Sequence, residues 1–181
     1  MVAILGFILS ITIAAFSNYL KAYRLSTTTR QLASAIQLAR MKAVSTNMTY
    51  TFNLNAALAP NQYQITGTNN INNNLICEPW EDVFGDGAIH VDTVYDTPQS
   101  LSYGSIRTQG ISAFPNGVSS SAVMANGTTQ NLVFDGRGLL TSFGKQYVLL
   151  QNQGFTTAIF IENSGSIHMY RFTDPGWMEF K

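Results

Sequence analysis

Chemistry in this chain would have to come from very few side chains. There is one cysteine, Cys77, and two histidines, His90 and His168. No spacing among the three suits a zinc site, and both histidines fall in β-like runs where an ordinary strand residue is the expectation. Cys77 sits in Ile-Cys-Glu-Pro-Trp (76–80) with no basic neighbour to favour its thiolate, so a buried, inert thiol is expected. A single cysteine excludes an intrachain disulfide but says nothing against export. Asp82, Asp86 and Asp92 could lend carboxylates to calcium, with Gly85 and Gly87 permitting a tight loop, although the spacing is not that of an EF-hand. Trp80, Tyr103, Phe114 and Trp177 could stack on a glycan or peptide, a role that competes with ordinary core packing. No nucleophile elbow, P-loop or dinucleotide fingerprint occurs. Neither an enzyme, a cofactor nor a small-molecule substrate is expected.

The elements that would carry these residues are more informative. Residues 1–46 read as one helix with no proline and a single glycine, Gly6. Its first part is an uncharged apolar run whose membrane- or filament-facing residues are Val2, Ile4, Leu5, Phe7, Ile8, Leu9, Ile11, Ile13 and Phe16. Sixteen helical residues rise about 24 Å, and extension through Tyr19 and Leu20 brings this near the roughly 30 Å of a bilayer core. A cleaved signal, a simple anchor and a filament stalk all begin this way. The signal reading lacks a basic leading region and a small-residue cleavage site. From Leu25 onward the pattern is amphipathic. Leu32, Ile36, Ala39 and Ala43 recur at helical spacing with Leu25 above them, which marks a helix face that packs on a sheet. The expected division is therefore residues 1–24, an apolar helix, and 25–181, a globular domain that includes the amphipathic half.

The remainder is β-like. Runs at 48–55, 61–68, 88–96, 100–106, 130–135, 146–151, 157–163 and 166–172 alternate or are rich in β-branched and aromatic residues. Asp135-Gly136 and Ser164-Gly165 are hairpin signals, and Asn69–Asn74 reads as a flexible polar turn. A long helix followed by antiparallel strands is an α+β fold with its helix and sheets segregated.

Charge is sparse, at 11% of residues, and sums to zero. It is also segregated. No acid precedes Glu78, and six of the ten acids lie between Glu78 and Asp96 with no Lys or Arg among them. Blocks of this kind are usually solvated faces. Beyond the helix only Arg107, Arg137, Lys145, Arg171 and Lys181 could meet phosphate, so DNA is not an expected partner.

The order of elements and three local motifs resemble the type IV pilin-like superfamily, and within it the GspH/FimT class of type II secretion pseudopilins and type IV minor pilins. Residues 4–20 are similar to the apolar helix. Residues 32–54 resemble the Ala-Arg-x-x-Ala segment, with Arg40, that runs into a first strand. Residues 132–142 and 159–171 resemble the Phe-x-x-x-Gly hairpin, with Phe134 and Gly138, and the closing hairpin with Gly165. Residues 69–125 match nothing specific. The resemblance implies a non-enzymatic assembly subunit held in the bacterial inner membrane by one pass, with a periplasmic domain. It further implies that other pilin or pseudopilin subunits are contacted through the N-terminal helix in a periplasmic or cell-surface filament. The chain as written starts inside the apolar run, without the family's basic leader, cleavage glycine or Phe-Thr-x-x-Glu start. A late-assigned start or a trimmed chain is the expectation. DNA-uptake members carry Gly-Arg-x-Arg near the C-terminus, where this chain has Gly165-Ser166-Ile167-His168. DNA uptake and a membrane-tethered β-domain that binds glycan or peptide are the alternative roles.

Overall fold

With no proline to remove a hydrogen bond, α1 runs unbroken over Val2–Thr46, 45 residues or about 68 Å. The structure, a computed structural model, describes residues 2–54, 62–70, 74, 76–82, 85–93, 99–100, 105–106, 123–124, 130–141, 146–152, 155–173 and 176–181, with helix side chains from Phe16 onward. The helix stops because Ser45 and Thr46 turn their hydroxyls onto the Lys42 carbonyl and Asn47 adopts φ 53°, a left-handed C-terminal cap. The chain re-emerges at once as β1 (Thr49–Leu54). No helix of the described residues is long and apolar enough to cross a membrane. The side chains of the run Val2–Ile13 lie outside those residues.

Two sheets flank the helix. In the first, β3 (Val91–Thr93), β2 (Gln62–Thr68), β1 and β7 (Gln130–Phe134) lie in that order, and β4 (Gln99–Ser100) also pairs with β2. In the second, the order is β11 (Gly176–Phe180), β10 (Ile167–Thr173), β9 (Phe155–Ile161), β8 (Gln146–Asn152) and β5 (Ser105–Ile106). There β6 (Val123–Met124) adds a parallel pairing to β8, and every other pairing among the described residues is antiparallel.

Strand alternation sets what faces the helix. Tyr50, Phe52 and Leu54 of β1 are buried, opposite Gly67, Ile65 and Tyr63 of β2, with Phe134 and Leu132 of β7 on the other side. Phe52 and Tyr63 stack at 5.2 Å. Gly67 lies under the Tyr50 ring, where any Cβ would collide with it. From the second sheet, Val148, Leu150, Ile159 and Ile161 join the same core. The helix contributes Leu25, Leu32, Ile36, Ala39 and Ala43, all at most 1% exposed. The alanines at 35, 39 and 43 let helix and sheet backbones approach closely. Thr29 is buried too, and its hydroxyl meets both Leu25 O at 2.8 Å and Thr157 Oγ1 at 2.6 Å. A second, smaller cluster lies on the opposite face of the second sheet, with Leu149, Ala158 and Phe160 against Tyr170 and Trp177.

Several expectations change. The strand read over 88–96 starts only at Val91, because Ala88 and His90 are drawn into a loop; β3 covers Val91–Thr93, and residues 94–96 lie outside the described ones. The run 100–106 is not one strand: β4 belongs to the first sheet and β5 to the second, so the chain crosses between sheets there. Asp135-Gly136 does not join two paired strands. Its turn closes a single bridge, Phe134 to Leu140, and β7 and β8 lie in different sheets. The flexible turn read at Asn69–Asn74 begins with two buried residues, Asn69 and Asn70. Residues 71–73 lie outside the described ones. Strand β11 was not read from the sequence, since Gly-Trp-Met-Glu-Phe (176–180) alternates poorly in polarity.

Candidate functional site

The most organised polar arrangement is a junction at the end of α1, where two glycine turns meet one arginine. The first turn follows β7. Asp135 accepts backbone hydrogen bonds from Arg137 (2.9 Å) and Leu139 (3.0 Å) on one oxygen, and the Arg137 Nε and Nη2 groups on the other. Burial would raise the Asp135 pKa, but these four donors and the Arg137 charge prevail and hold it below the usual carboxylate value. The second turn joins β9 to β10 and is closed by Gly165 N to Glu162 O at 2.8 Å. Gly138 and Gly165 have φ of +75° and +79°, the left-handed region that only glycine enters without strain.

Arg40 bridges the two turns. Its Nε donates to Gly138 O at 3.1 Å and its Nη2 to Ser164 O at 3.2 Å. A Cβ on Gly165 would collide with Arg40 Nε and lie 2.5 Å from Gly138 O, and one on Gly138 would lie 2.7 Å from Val44 Cγ2. The turns also bond directly, Leu140 N to Asn163 O at 3.0 Å. Gly136 packs against Asn47, the helix cap. Of the four motif residues read from the sequence, Arg40, Gly138 and Gly165 touch, and Phe134 lies immediately behind them, fully buried and paired with Tyr50. Sequence reading named Gly136 and Ser164 only as parts of hairpin signals and did not foresee the contacts that Ser164, Asn163, Gly136 and Asn47 make here. Backbone carbonyls leave no trace in sequence, though a second glycine two residues before Gly138 was a signal for close approach.

The acidic stretch is organised differently. Asn69, 1% exposed, donates through Nδ2 to Glu81 O (3.0 Å) and Ala88 O (2.9 Å), and its Oδ1 accepts His90 N at 2.6 Å. Asp82 receives the backbone N–H groups of Gly85, Asp86 and Gly87 at 2.7–3.0 Å. Asp86 faces the His90 ring at 3.0 Å, and this contact, with the Ala88 N–H, lowers its pKa. Asp82 and Asp86 thus serve the loop itself, and the side chain of Asp92 lies outside the described residues. No group of ligating side chains suited to a metal occurs among the described residues. Cys77 is half-buried rather than buried. Partial desolvation and the Asp82, Glu81 and Asp86 carboxylates push its thiol pKa up, which disfavours nucleophilic chemistry. His168 lies on β10, 2.9 Å from Glu179 and beside Phe160. Of the aromatics considered for stacking, Trp80 is exposed, Trp177 is packed edge-on against Phe172, and Tyr103 and Phe114 lie outside the described residues.

The family model described as Type II transport protein GspH matches residues 28–165, about three-quarters of the chain. The chain belongs to the GspH family. The match starts in the packed half of α1 and ends at Gly165, so it contains the whole junction of Arg40 with both turns. Neither the curated proteins nor the solved structures provide a match. GspH proteins are pilin-like structural subunits of type II transport rather than enzymes, and the α+β architecture of one long helix on antiparallel sheets is that of the pilin-like fold.

Proposed function

We propose that this GspH-family protein is a non-enzymatic minor pseudopilin, a subunit that enters a type II secretion pseudopilus through the N-terminal half of α1. The observation that carries this reading is the continuity of α1. One uninterrupted helix serves the domain core from Leu25 onward, while Phe16, Ser17, Asn18 and Tyr19 below that point are exposed. A helix satisfies its own backbone hydrogen bonds, so its apolar run can pass from lipid to a protein filament at little polar cost. Before assembly the apolar run, extended through Tyr19 and Leu20, spans the inner membrane and the domain faces the periplasm. After assembly the same residues pack among other pseudopilin helices. The junction fixes the stalk to both sheets, so that the domain rides on the stalk as one body.

Membrane fractionation followed by affinity isolation of the full chain tests this. The expected result is recovery in the inner membrane together with other pilin-class subunits, and release from the membrane by Ile8→Asp. A charged residue at mid-span costs about 3 kcal/mol. A chain that fractionates as a soluble protein, with no pilin-class subunit attached, would sink the reading.

A further inference from the structure

The edges of the two sheets are not built alike. An edge strand leaves a row of main-chain N–H and C=O groups unpaired, and native sheets blunt such rows by shortening, covering or charging them. Among the described residues, β3 ends the first sheet with three residues and β5 ends the second with two. β7, at the other end of the first sheet, is covered by its own return, with Asp135 N bonded to Leu139 O and Thr141 N to Val133 O. β11 has none of these devices. Its five residues, Gly-Trp-Met-Glu-Phe, contain no proline and no lysine. They keep an unbroken register with β10, so there is no bulge, and they pair with no other strand among the described residues. The one charge of the strand, Glu179, is turned onto His168 of β10 at 2.9 Å instead of guarding the edge.

The edge is also apolar on both faces and firmly held. Successive side chains of a strand point to opposite faces. Away from α1, Trp177 packs edge-on with Phe172, which is 41% exposed. On the helix side Met178 is 56% exposed. The end of the strand is pinned to the helix: Arg30 Nη2 donates to Lys181 O at 2.6 Å, and the guanidinium carbon lies 5.8 Å from the centre of the Phe180 ring. A strand fixed in this way is a template that costs little further ordering when a partner docks. Every second residue of it aims its N–H and C=O away from β10, and the main chain of another extended segment is what matches such a row.

We propose that β11 takes up an extended segment of a different protein by strand addition, which lengthens the second sheet by one strand. The segment is apolar on both faces, because its residues beside Trp177 and Met178 point to opposite sides of the sheet, and it carries a basic or hydroxyl side chain beside Glu179. A second copy of this chain does not fit. Two identical β11 edges pair antiparallel about a twofold axis normal to the sheet. α1 lies along the inner face of that sheet, where Thr29 meets Thr157 and the helix shares its core with Val148 and Ile159. Such an axis reverses the direction of α1, so the two stalks would point oppositely, which one membrane does not allow. The exclusion of a second copy rests on the pseudopilin reading above; the edge itself does not.

The test joins photo-crosslinking to hydrogen exchange. The full chain, with p-benzoylphenylalanine replacing Trp177, is irradiated in its own membranes, and an adduct with one other protein is expected. Met178→Lys places on the strand the charge that native edges use and should reduce the adduct at least fivefold, whereas Met178→Val should retain it. Circular dichroism and recovery in the membrane verify that both variants are folded. In the complex of the unaltered chain with the captured protein, amide exchange should slow at least tenfold at alternate residues of Gly176–Phe180, the signature of strand addition. The proposal is overturned by the absence of an adduct, by an adduct between two copies of this chain, by a yield indifferent to Met178→Lys, or by exchange unchanged or slowed without alternation. Any of these failures in a chain still recovered in the inner membrane beside pilin-class subunits leaves the pseudopilin reading standing. An unaltered chain that fractionates as soluble overturns that reading, and with it the choice of a different protein over a second copy.

Discussion

The junction predicts a specific energetic coupling between Arg40 and Gly165. Arg40→Ala removes two hydrogen bonds from a charged donor, at 3.1 and 3.2 Å, the second of them solvent-exposed. Bonds to charged groups contribute about 1.5–3 kcal/mol each, and the length and exposure here favour a combined loss of about 2 kcal/mol. Gly165→Ala has two costs. A left-handed φ of +79° strains any Cβ-bearing residue by about 1–2 kcal/mol, and the new methyl collides with Arg40 Nε and approaches Arg40 Cδ to 2.9 Å. Overpacking of this kind adds about 1–3 kcal/mol. With Arg40 removed, its share of the collision disappears, while the backbone strain and the 2.5 Å approach to the Gly138 backbone oxygen remain. The double variant should therefore be more stable than the sum of the single changes implies, by about 1.5–2 kcal/mol, well above the roughly 0.5 kcal/mol scatter of independent sites. Guanidinium unfolding of the full chain in detergent, followed by tryptophan fluorescence, measures all three variants. The thermal counterpart is a coupling of about 3–8 °C in Tm, at about 2–4 °C per kcal/mol. Additivity within 0.5 kcal/mol would refute the claim that Arg40 occupies the space Gly165 leaves open.

Gly67→Ala should destabilise the first sheet by about 2–4 kcal/mol, because its methyl would displace the fully buried Tyr50 ring; adding Tyr50→Leu should recover part of the loss in the guanidinium midpoint. Asn69→Ala removes the amide that ties Glu81, Ala88 and His90 together. Loosening that loop should let the Cys77 thiol, now held up in pKa by partial burial and neighbouring carboxylates, react several-fold faster with an aromatic disulfide at pH 8. Asp135 has a folded pKa below its ordinary 3.8, so its contribution to stability is complete above 3.8 and is lost as pH falls from there through the lower folded value. A Tm profile from pH 6 to 2.5 should show this acid limb, and Asp135→Asn should remove its share of it.

Where the sequence was legible, one periodicity dominated. The face of Leu25, Leu32, Ile36, Ala39 and Ala43 could be found because a helix packed on a sheet repeats its contacts every three or four residues. β1 and β2 alternate cleanly because each buries one face only, with every second residue of β2 enclosed. β9 does not alternate, since the second sheet is apolar on both faces, and its identification rests on β-branched and aromatic content. The turn read at Asn69–Asn74 was misread for a different reason. Asn69 looks like the first residue of an asparagine-rich loop, and only the chain's return at Ala88–His90 shows that its amide has buried backbone partners. A contact across some twenty residues between a side chain and main-chain atoms has no period and no composition. Arg40 was recognisable through family resemblance, but that it reaches two turns at once follows from geometry alone.

The position of Arg40 explains why an arginine suits that point of the helix. Among the described residues no strand pairs across the two sheets, and apart from shared side-chain packing they are joined at this end by Leu140 N to Asn163 O and by Arg40. The alanines that bring α1 close to the sheets leave its flank short of contacts, and a long side chain is needed to reach the turns. The turns offer carbonyl oxygens from different strands, Gly138 following β7 and Ser164 following β9. A guanidinium presents donors on separate nitrogens of one rigid plane and can satisfy both, whereas a lysine ammonium is a single point. Glycines at 138 and 165 provide the space for that plane and the left-handed turns that expose the carbonyls. Any load carried along α1 therefore reaches both sheets close to the helix's own terminus, through hydrogen bonds as well as the apolar core. A domain that must follow its stalk as one body needs this linkage, and it depends on a side chain that is neither in the core nor free in solvent.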